Sequence, residues 1–165
     1  MKKGFIFDLD GVLVDTADLH FLAWQDLGKK IGIEFDEKFN ETLKGISRME
    51  SLEKILAHGN KTNVFDDAEK IELAASKNKL YISLLDQLTP QSLLPGVLAF
   101  IQQAKEKNIL CAIASASKNA PMILERLNIR HYFDVIVDPE SLMNGKPDPE
   151  IFIKAAELIN LSTNE

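Results

Sequence analysis

An apolar run, Gly4-Phe5-Ile6-Phe7, opens directly into Asp8-Leu9-Asp10-Gly11-Val12-Leu13-Val14-Asp15-Thr16. Apolar residues without alternation are what a strand of a parallel sheet, covered on both faces, requires. A glycine-containing loop at the carboxyl end of such a strand lies where open α/β sheets bind their ligands. Alternate side chains on an extended backbone share a face, so the stretch aims Asp8 and Asp10 to the same side. Two close carboxylates do not readily both ionise unless a cation offsets their repulsion. The stretch therefore predicts a buried first strand ending in an acidic loop built to bind metal.

Beyond residue 93 strand and helix patterns alternate: a helix over about 96–107, a strand over 109–114, a helix near 120–127, a strand over 134–137 and a helix from Glu150. This order predicts a parallel sheet with crossover helices. Between the first strand and Leu94 the pattern is helical instead. His20, Trp24, Leu27 and Ile31 share one helix face, while Ile71, Ala74, Ala75, Asn78, Tyr81, Ile82 and Leu85 form a second stripe. The expected fold class is α/β, a Rossmann-like parallel-sheet core made of residues 1–15 and 93–165, with an inserted α-helical cap over 16–92. Pro90 and Pro95 stiffen the return crossing, which suits a defined hinge and a cap able to close over the strand ends.

Composition removes several function classes. At 165 residues and 45% hydrophobic the chain can bury a real core, about 70% of its unfolded surface at this size. A net charge of -6 gives no basic footprint for nucleic acid. No apolar run is long enough to span a bilayer, and the segment after Met1-Lys2-Lys3 meets Asp8 too early for a signal-peptide core. Cys111 is the only cysteine, so no disulfide forms within the chain. The expected setting is cytoplasmic, with no membrane or nucleic-acid partner.

Three further segments carry chemistry-bearing residues. Ser115-Ala116-Ser117-Lys118-Asn119 joins a strand to a helix whose first turn contains Pro121, and amides and hydroxyls at a helix start suit a phosphate. An ordinary serine-rich turn explains the same residues. Gly145-Lys146-Pro147-Asp148-Pro149 places a lysine, a compact point charge, in a loop after the third strand. Within the insertion, Lys44-Gly45-Ile46-Ser47-Arg48 reads as a helix connector: Gly45 ends one helix, and Ser47 with Glu50 forms a capping box for the next. Lys44 and Arg48 are left over by that explanation, and a guanidinium at a helix start is well matched to a phosphate.

In their order and spacing these segments, with Asp8-Leu9-Asp10-Gly11-Val12, resemble the haloacid dehalogenase-like phosphotransferases and, within them, the hexose-phosphate mutases. The resemblance implies that Asp8 is the nucleophile and Asp10 the general acid and base. It implies magnesium as cofactor, with the Asp8 carboxylate and the Asp10 backbone carbonyl among its ligands. Ser115 contacts the transferring phosphoryl group, Lys146 neutralises it, and Ala116, Ser117, Lys118 and Asn119 help hold substrate phosphate. Lys44, Gly45, Ile46, Ser47 and Arg48 form the cap's substrate loop, with Arg48 gripping the second phosphate, and His20 partners the acid and base aspartate. Trp24 is either core packing or a sugar contact. Asp10 speaks against halide-releasing relatives, which typically lack the second aspartate.

The implied reaction interconverts β-glucose 1-phosphate and glucose 6-phosphate through an aspartyl-phosphate and β-glucose 1,6-bisphosphate, the latter also serving as primer. A sugar-phosphate phosphatase or a catalytically deficient fragment are the rivals. The family normally continues to a further acidic motif and a further strand beside the first. The expectation for residues 1–165 alone is weak magnesium binding, little turnover, an edge position for the first strand and a tendency to self-associate, the full-length form being a monomer.

Overall fold

The computed structural model describes residues 3 to 162. The chain falls into two units, one made of the residues up to Asp15 together with those from Gln87 onward, the other of Thr16–Asp86.

In the first unit, strands β1 (Gly4–Phe7), β2 (Leu110–Ile113) and β3 (Val135–Ile136) form a parallel sheet in the order β1-β2-β3. Gly4 stands opposite Leu110 and Phe7 opposite Ile113, while Ala112 stands opposite Val135. The strand covered on both faces is β2: Cys111, Ala112 and Ile113 have no exposed surface. β1 departs from the expectation of full burial, with Phe5 38% exposed. Its position explains this, because in the described sheet β1 pairs with β2 alone and stands at an edge. One face of β1 carries an aromatic group, Phe5 and Phe7 lying 5.1 and 6.0 Å from Phe100 between ring centroids.

Helix α5 (Val97–Glu106) packs on β2, and α7 (Glu150–Leu158) packs on all three strands through Ile151, Ala155 and Ile159. A short α6 (Ala120–Arg126) buries Ile123 and Leu124. The place where the chain leaves this unit and the place where it returns are stitched together. Val14 and Leu93 form an antiparallel bridge, and the Leu94 amide donates to the Leu13 carbonyl at 2.9 Å.

The second unit holds α1 (Ala17–Lys30), α2 (Glu37–Glu41), α3 (Arg48–His58) and α4 (Asp67–Leu84), with α4 packed along α1 and α3. Its core gathers Trp24, Leu27, Ile33, Leu43, Leu52, Ile55, Leu56 and Ala74. Each helix start after the first is capped by its own sequence. Asp36 accepts the Phe39 amide at 2.8 Å, and Ser47 with Glu50 and Asp66 with Glu69 close reciprocal capping boxes. The buried face of α4 is rotated from the predicted stripe. It runs through Ala74, Lys77 and Tyr81 to Leu85, while Ile71 and Ala75 are exposed. A lysine occupying an apolar-face position is what misled the periodicity.

Among the described residues no helix is long and apolar enough to cross a membrane.

Candidate active site

In the sheet unit the chemistry-bearing residues follow directly from strand ends. β1 stops at Phe7, and the Asp8 carboxylate turns back on its own loop, Oδ1 accepting the Leu9 amide at 2.8 Å. Leu9 is fully buried and anchors the turn. Its carbonyl lies 2.9 Å from the Leu13 amide and 3.3 Å from those of Val12 and Val14, while Gly11 donates to the Val14 carbonyl at 2.8 Å. The reversal needs Gly11 at φ +77, a left-handed value that strains any side chain although the space around it is open. With Leu9 turned inward, Asp8 and Asp10 are both half-buried on the other side, as alternation requires.

The Ala114 amide donates to the Phe7 carbonyl at 2.8 Å, carrying the β1–β2 register one residue past the strands. Ser115, next in line, is 2% exposed, and its Oγ accepts the Ser117 amide at 3.1 Å. Accepting leaves the Ser115 O–H to donate. Ser117 Oγ in turn accepts the Asn119 amide at 3.3 Å, so the turn is organised by its own hydroxyls. Ala116 is half-buried, and Lys118 pairs with Glu140.

The loop after β3 brings Lys146 back to the first strand, its Nζ 2.9 Å from Asp8 Oδ2. Residues 138 positions apart in sequence meet because parallel strands place all their carboxyl ends on one edge. A charge-assisted contact of this kind, at 14% side-chain exposure for Lys146, orients the Asp8 carboxylate. The loop is itself held by Glu150, whose Oε1 accepts the Met143 amide at 2.8 Å and whose Oε2 accepts the Asn144 amide at 2.7 Å. Those amides pull the Glu150 carboxyl below its ordinary value.

In the helical unit, Ser47 and Arg48 stand at the start of α3 as the capping box predicts, Gly45 takes a left-handed φ of +76, and Ile46 is half-buried. Lys44 is exposed and pairs with Glu41 at 2.7 Å. Trp24 is 2% exposed and belongs to the core of the helical unit.

His20 and Lys77 form a cluster that only half emerged from the sequence. Lys77 Nζ lies 2.8 Å from His20 Nδ1, 4.7 Å from the Trp24 ring centroid and 4.5 Å from that of Tyr81. Tyr81 stacks on His20 at 4.0 Å, and its hydroxyl donates to Thr16 Oγ1 at 3.3 Å. An ammonium donates, so Nδ1 accepts and the imidazole is neutral, with its proton on Nε2. Dense packing strips hydration from a ring that still touches the surface, and this, ahead of repulsion from Lys77 and Arg48, drives the His20 pKa well below its usual 6.5. Lys77 was missed because lysines on helices are ordinarily solvated; its place between Ala74 and Tyr81 was the available signal.

Magnesium can be tested against the donors present. Asp8 and the Asp10 carbonyl are hard oxygens of the kind magnesium takes, yet the described residues hold no group of three or more acidic, histidine or cysteine side chains able to cage an ion. The site fits the ion in kind and supplies part of its shell.

The model of the haloacid dehalogenase-like hydrolases matches residues 2–165. The chain belongs to that family. It is 51% identical over 160 residues to the β-phosphoglucomutase of Bacillus subtilis, covering 97% of this chain and 71% of that protein. The crystal structure of β-phosphoglucomutase from Clostridium difficile superposes with a TM-score of 0.95 at 48% identity, over 98% of this chain and 72% of the other. A phosphatase of phosphorylated carbohydrates from Thermotoga maritima is 30% identical over 96% of this chain and 71% of its own length.

Proposed function

We propose that the chain is a magnesium-dependent phosphomutase that interconverts β-glucose 1-phosphate and glucose 6-phosphate through β-glucose 1,6-bisphosphate. The Lys146–Asp8 contact at 2.9 Å supports phosphoryl transfer through Asp8, and the 51% identity to a β-phosphoglucomutase selects the mutase within that chemistry.

An Asp8 carboxylate oxygen attacks phosphorus of the bisphosphate. The bond between phosphorus and the sugar oxygen breaks, its electron pair going to that oxygen, which takes a proton from Asp10. Loss of the C1 phosphoryl group leaves glucose 6-phosphate, which departs, and the aspartyl-phosphate then meets the 6-hydroxyl of an incoming β-glucose 1-phosphate. Asp10 removes that proton, the sugar oxygen attacks phosphorus, and the Asp8 carboxylate leaves. Lys146 offsets the charge of Asp8 and of the phosphoryl oxygens, and the Ser115 hydroxyl donates to one of them. Arg48 holds the phosphate that is not reacting. Magnesium, when held by the Asp8 carboxylate and the Asp10 carbonyl, supplies further charge neutralisation at the phosphoryl group.

A mutase must hand its phosphoryl group to a sugar rather than to water, and this separates it from the phosphatase that the Thermotoga maritima relative represents. The test supplies β-glucose 1-phosphate, magnesium and bisphosphate primer, then measures glucose 6-phosphate against inorganic phosphate. Isomer formation well above phosphate release is expected. Phosphate release without isomer would assign the phosphatase instead.

A further inference from the structure

We infer that Glu150 and Phe152, both at the start of α7, are positioning residues for Lys146. The inference rests on the phosphoryl-transfer reading above, in which Lys146 serves Asp8, and adds the groups that hold it there.

The segment between β3 and α7 has few apolar anchors. Met143, at its apex, is 93% exposed. Its shape comes from hydrogen bonds instead, and they converge on Glu150. One carboxylate oxygen takes the Met143 amide at 2.8 Å, and the other takes the Asn144 amide at 2.7 Å and the Asn144 Nδ2 at 3.2 Å. On the far side of Lys146, the Asp148 amide donates to the Gly145 carbonyl at 3.1 Å, and Asp148 Oδ1 accepts the Glu150 amide at 2.9 Å. Lys146 therefore sits in a loop tied on both sides to the residue that begins α7. The ammonium is aimed by the same helix, since Nζ lies 5.1 Å from the Phe152 ring centroid while contacting Asp8 Oδ2 at 2.9 Å. A flexible four-carbon stem is thus fixed at its root by Glu150 and at its tip by Phe152 and Asp8. α7 is anchored in turn by Ile151 and Ala155 against the sheet, so the placement of Lys146 relative to Asp8 is transmitted from the core.

The test reads Lys146 directly and needs no turnover. Trace acetylation by acetic anhydride, quantified by mass spectrometry with exposed Lys30 as internal reference, reports how tightly the Lys146 ammonium is held. E150A is expected to raise Lys146 reactivity about fivefold and F152L, which nearly conserves volume, about twofold, at melting temperatures close to that of the parent. D8N is the positive control, since it removes the partner charge and must also raise the reactivity. Unchanged Lys146 reactivity in E150A, with D8N elevated, overturns the inference. Should E150A unfold, unchanged reactivity in F152L overturns the Phe152 arm, and E150Q, which keeps a single acceptor, decides the Glu150 arm in the same way. In the mutase assay E150A is expected to lower kcat about tenfold, and to lower it no further in a K146A background; an additive loss assigns Glu150 a role apart from Lys146 and overturns the proposal. If the parent chain shows no isomerase activity, the proposed function fails while the labelling still decides this inference.

Discussion

The sheet unit and the helical unit use charge in opposite ways. At the sheet edge opposite charges meet: Lys146 Nζ lies 2.9 Å from Asp8 Oδ2, and neither needs deep burial. In the helical unit like meets like. Lys77, 3% exposed, stands 2.8 Å from His20, with Arg48 near enough to add to the repulsion, and the strain is relieved by keeping the imidazole neutral and laying the ammonium over two aromatic rings. A paired site is ready for chemistry as it stands. A lysine laid over aromatic rings beside a neutral imidazole is held by packing as much as by charge.

Four experiments break or sharpen that contrast, the largest effect first. Replacing Asp8 with Asn removes both the nucleophile and the partner of Lys146, so covalent labelling by a phosphoryl donor should vanish and turnover should fall at least ~10⁴-fold. Normal turnover in that variant would end the nucleophile assignment. Arg48→Ala tests the other unit: loss of a charge-assisted contact of about 2 kcal/mol should lower mutase flux about 30-fold while hydrolysis of a small monophosphate falls much less. Equal losses would make Arg48 a general electrostatic or structural residue.

The third experiment is a titration. Since His20 has its folded pKa lowered, the unfolded chain takes up a proton first as pH falls through 6.5, and stability of the helical unit should decline below that value by up to about 1.4 kcal/mol per pH unit. Thermal melts between pH 8 and 5 read the slope. In Lys77→Met the His20 resonance should titrate at higher pH than in the parent, without reaching 6.5, because desolvation is the larger cause and remains. No movement would mean that Lys77 does not act on the ring.

The smallest effects come from two glycines with φ of +77 and +76 and nothing within 4 Å of an added Cβ. Alanine at Gly11 or Gly45 should cost each unit a similar ~1 kcal/mol in chemical denaturation. Only Gly11→Ala, through the turn that aims Asp8 and Asp10, should depress formation of the phosphoenzyme as well.

The two units were also unequally legible. Motif order and spacing pointed to Asp8, Asp10, Ser115 and Lys146, since a serine-rich turn or a loop lysine taken singly has a bland explanation; the structure brings Asp8 and Lys146 into contact. β1 itself was misjudged in burial, since an apolar run reports what a strand can tolerate and not how many neighbours it has; Phe5 is half open on an edge. The capping box at Ser47 and Glu50 could be read because its chemistry is local. Lys77 could not: its role depends on Trp24 and His20, brought in from a different helix, and helical periodicity alone counts a lysine as solvent-facing. Glu150 was passed over for a similar reason, an acid in a helix's first turn being ordinary until its partners at Met143 and Asn144 are known.

The bridge between Val14 and Leu93 has a bearing on ancestry. It fastens the departing and returning segments of the sheet unit side by side, and Leu94 donating to Leu13 doubles the stitch. For a segment whose two ends are held adjacent, the closure entropy charged to the host unit grows only slowly with length, by about 0.6 kcal/mol for each doubling. The host can therefore acquire, enlarge or exchange what lies between Asp15 and Gln87 while its phosphoryl-handling edge stays intact. One phosphoryl-handling edge can thus be offered to many substrates by trading a single cassette.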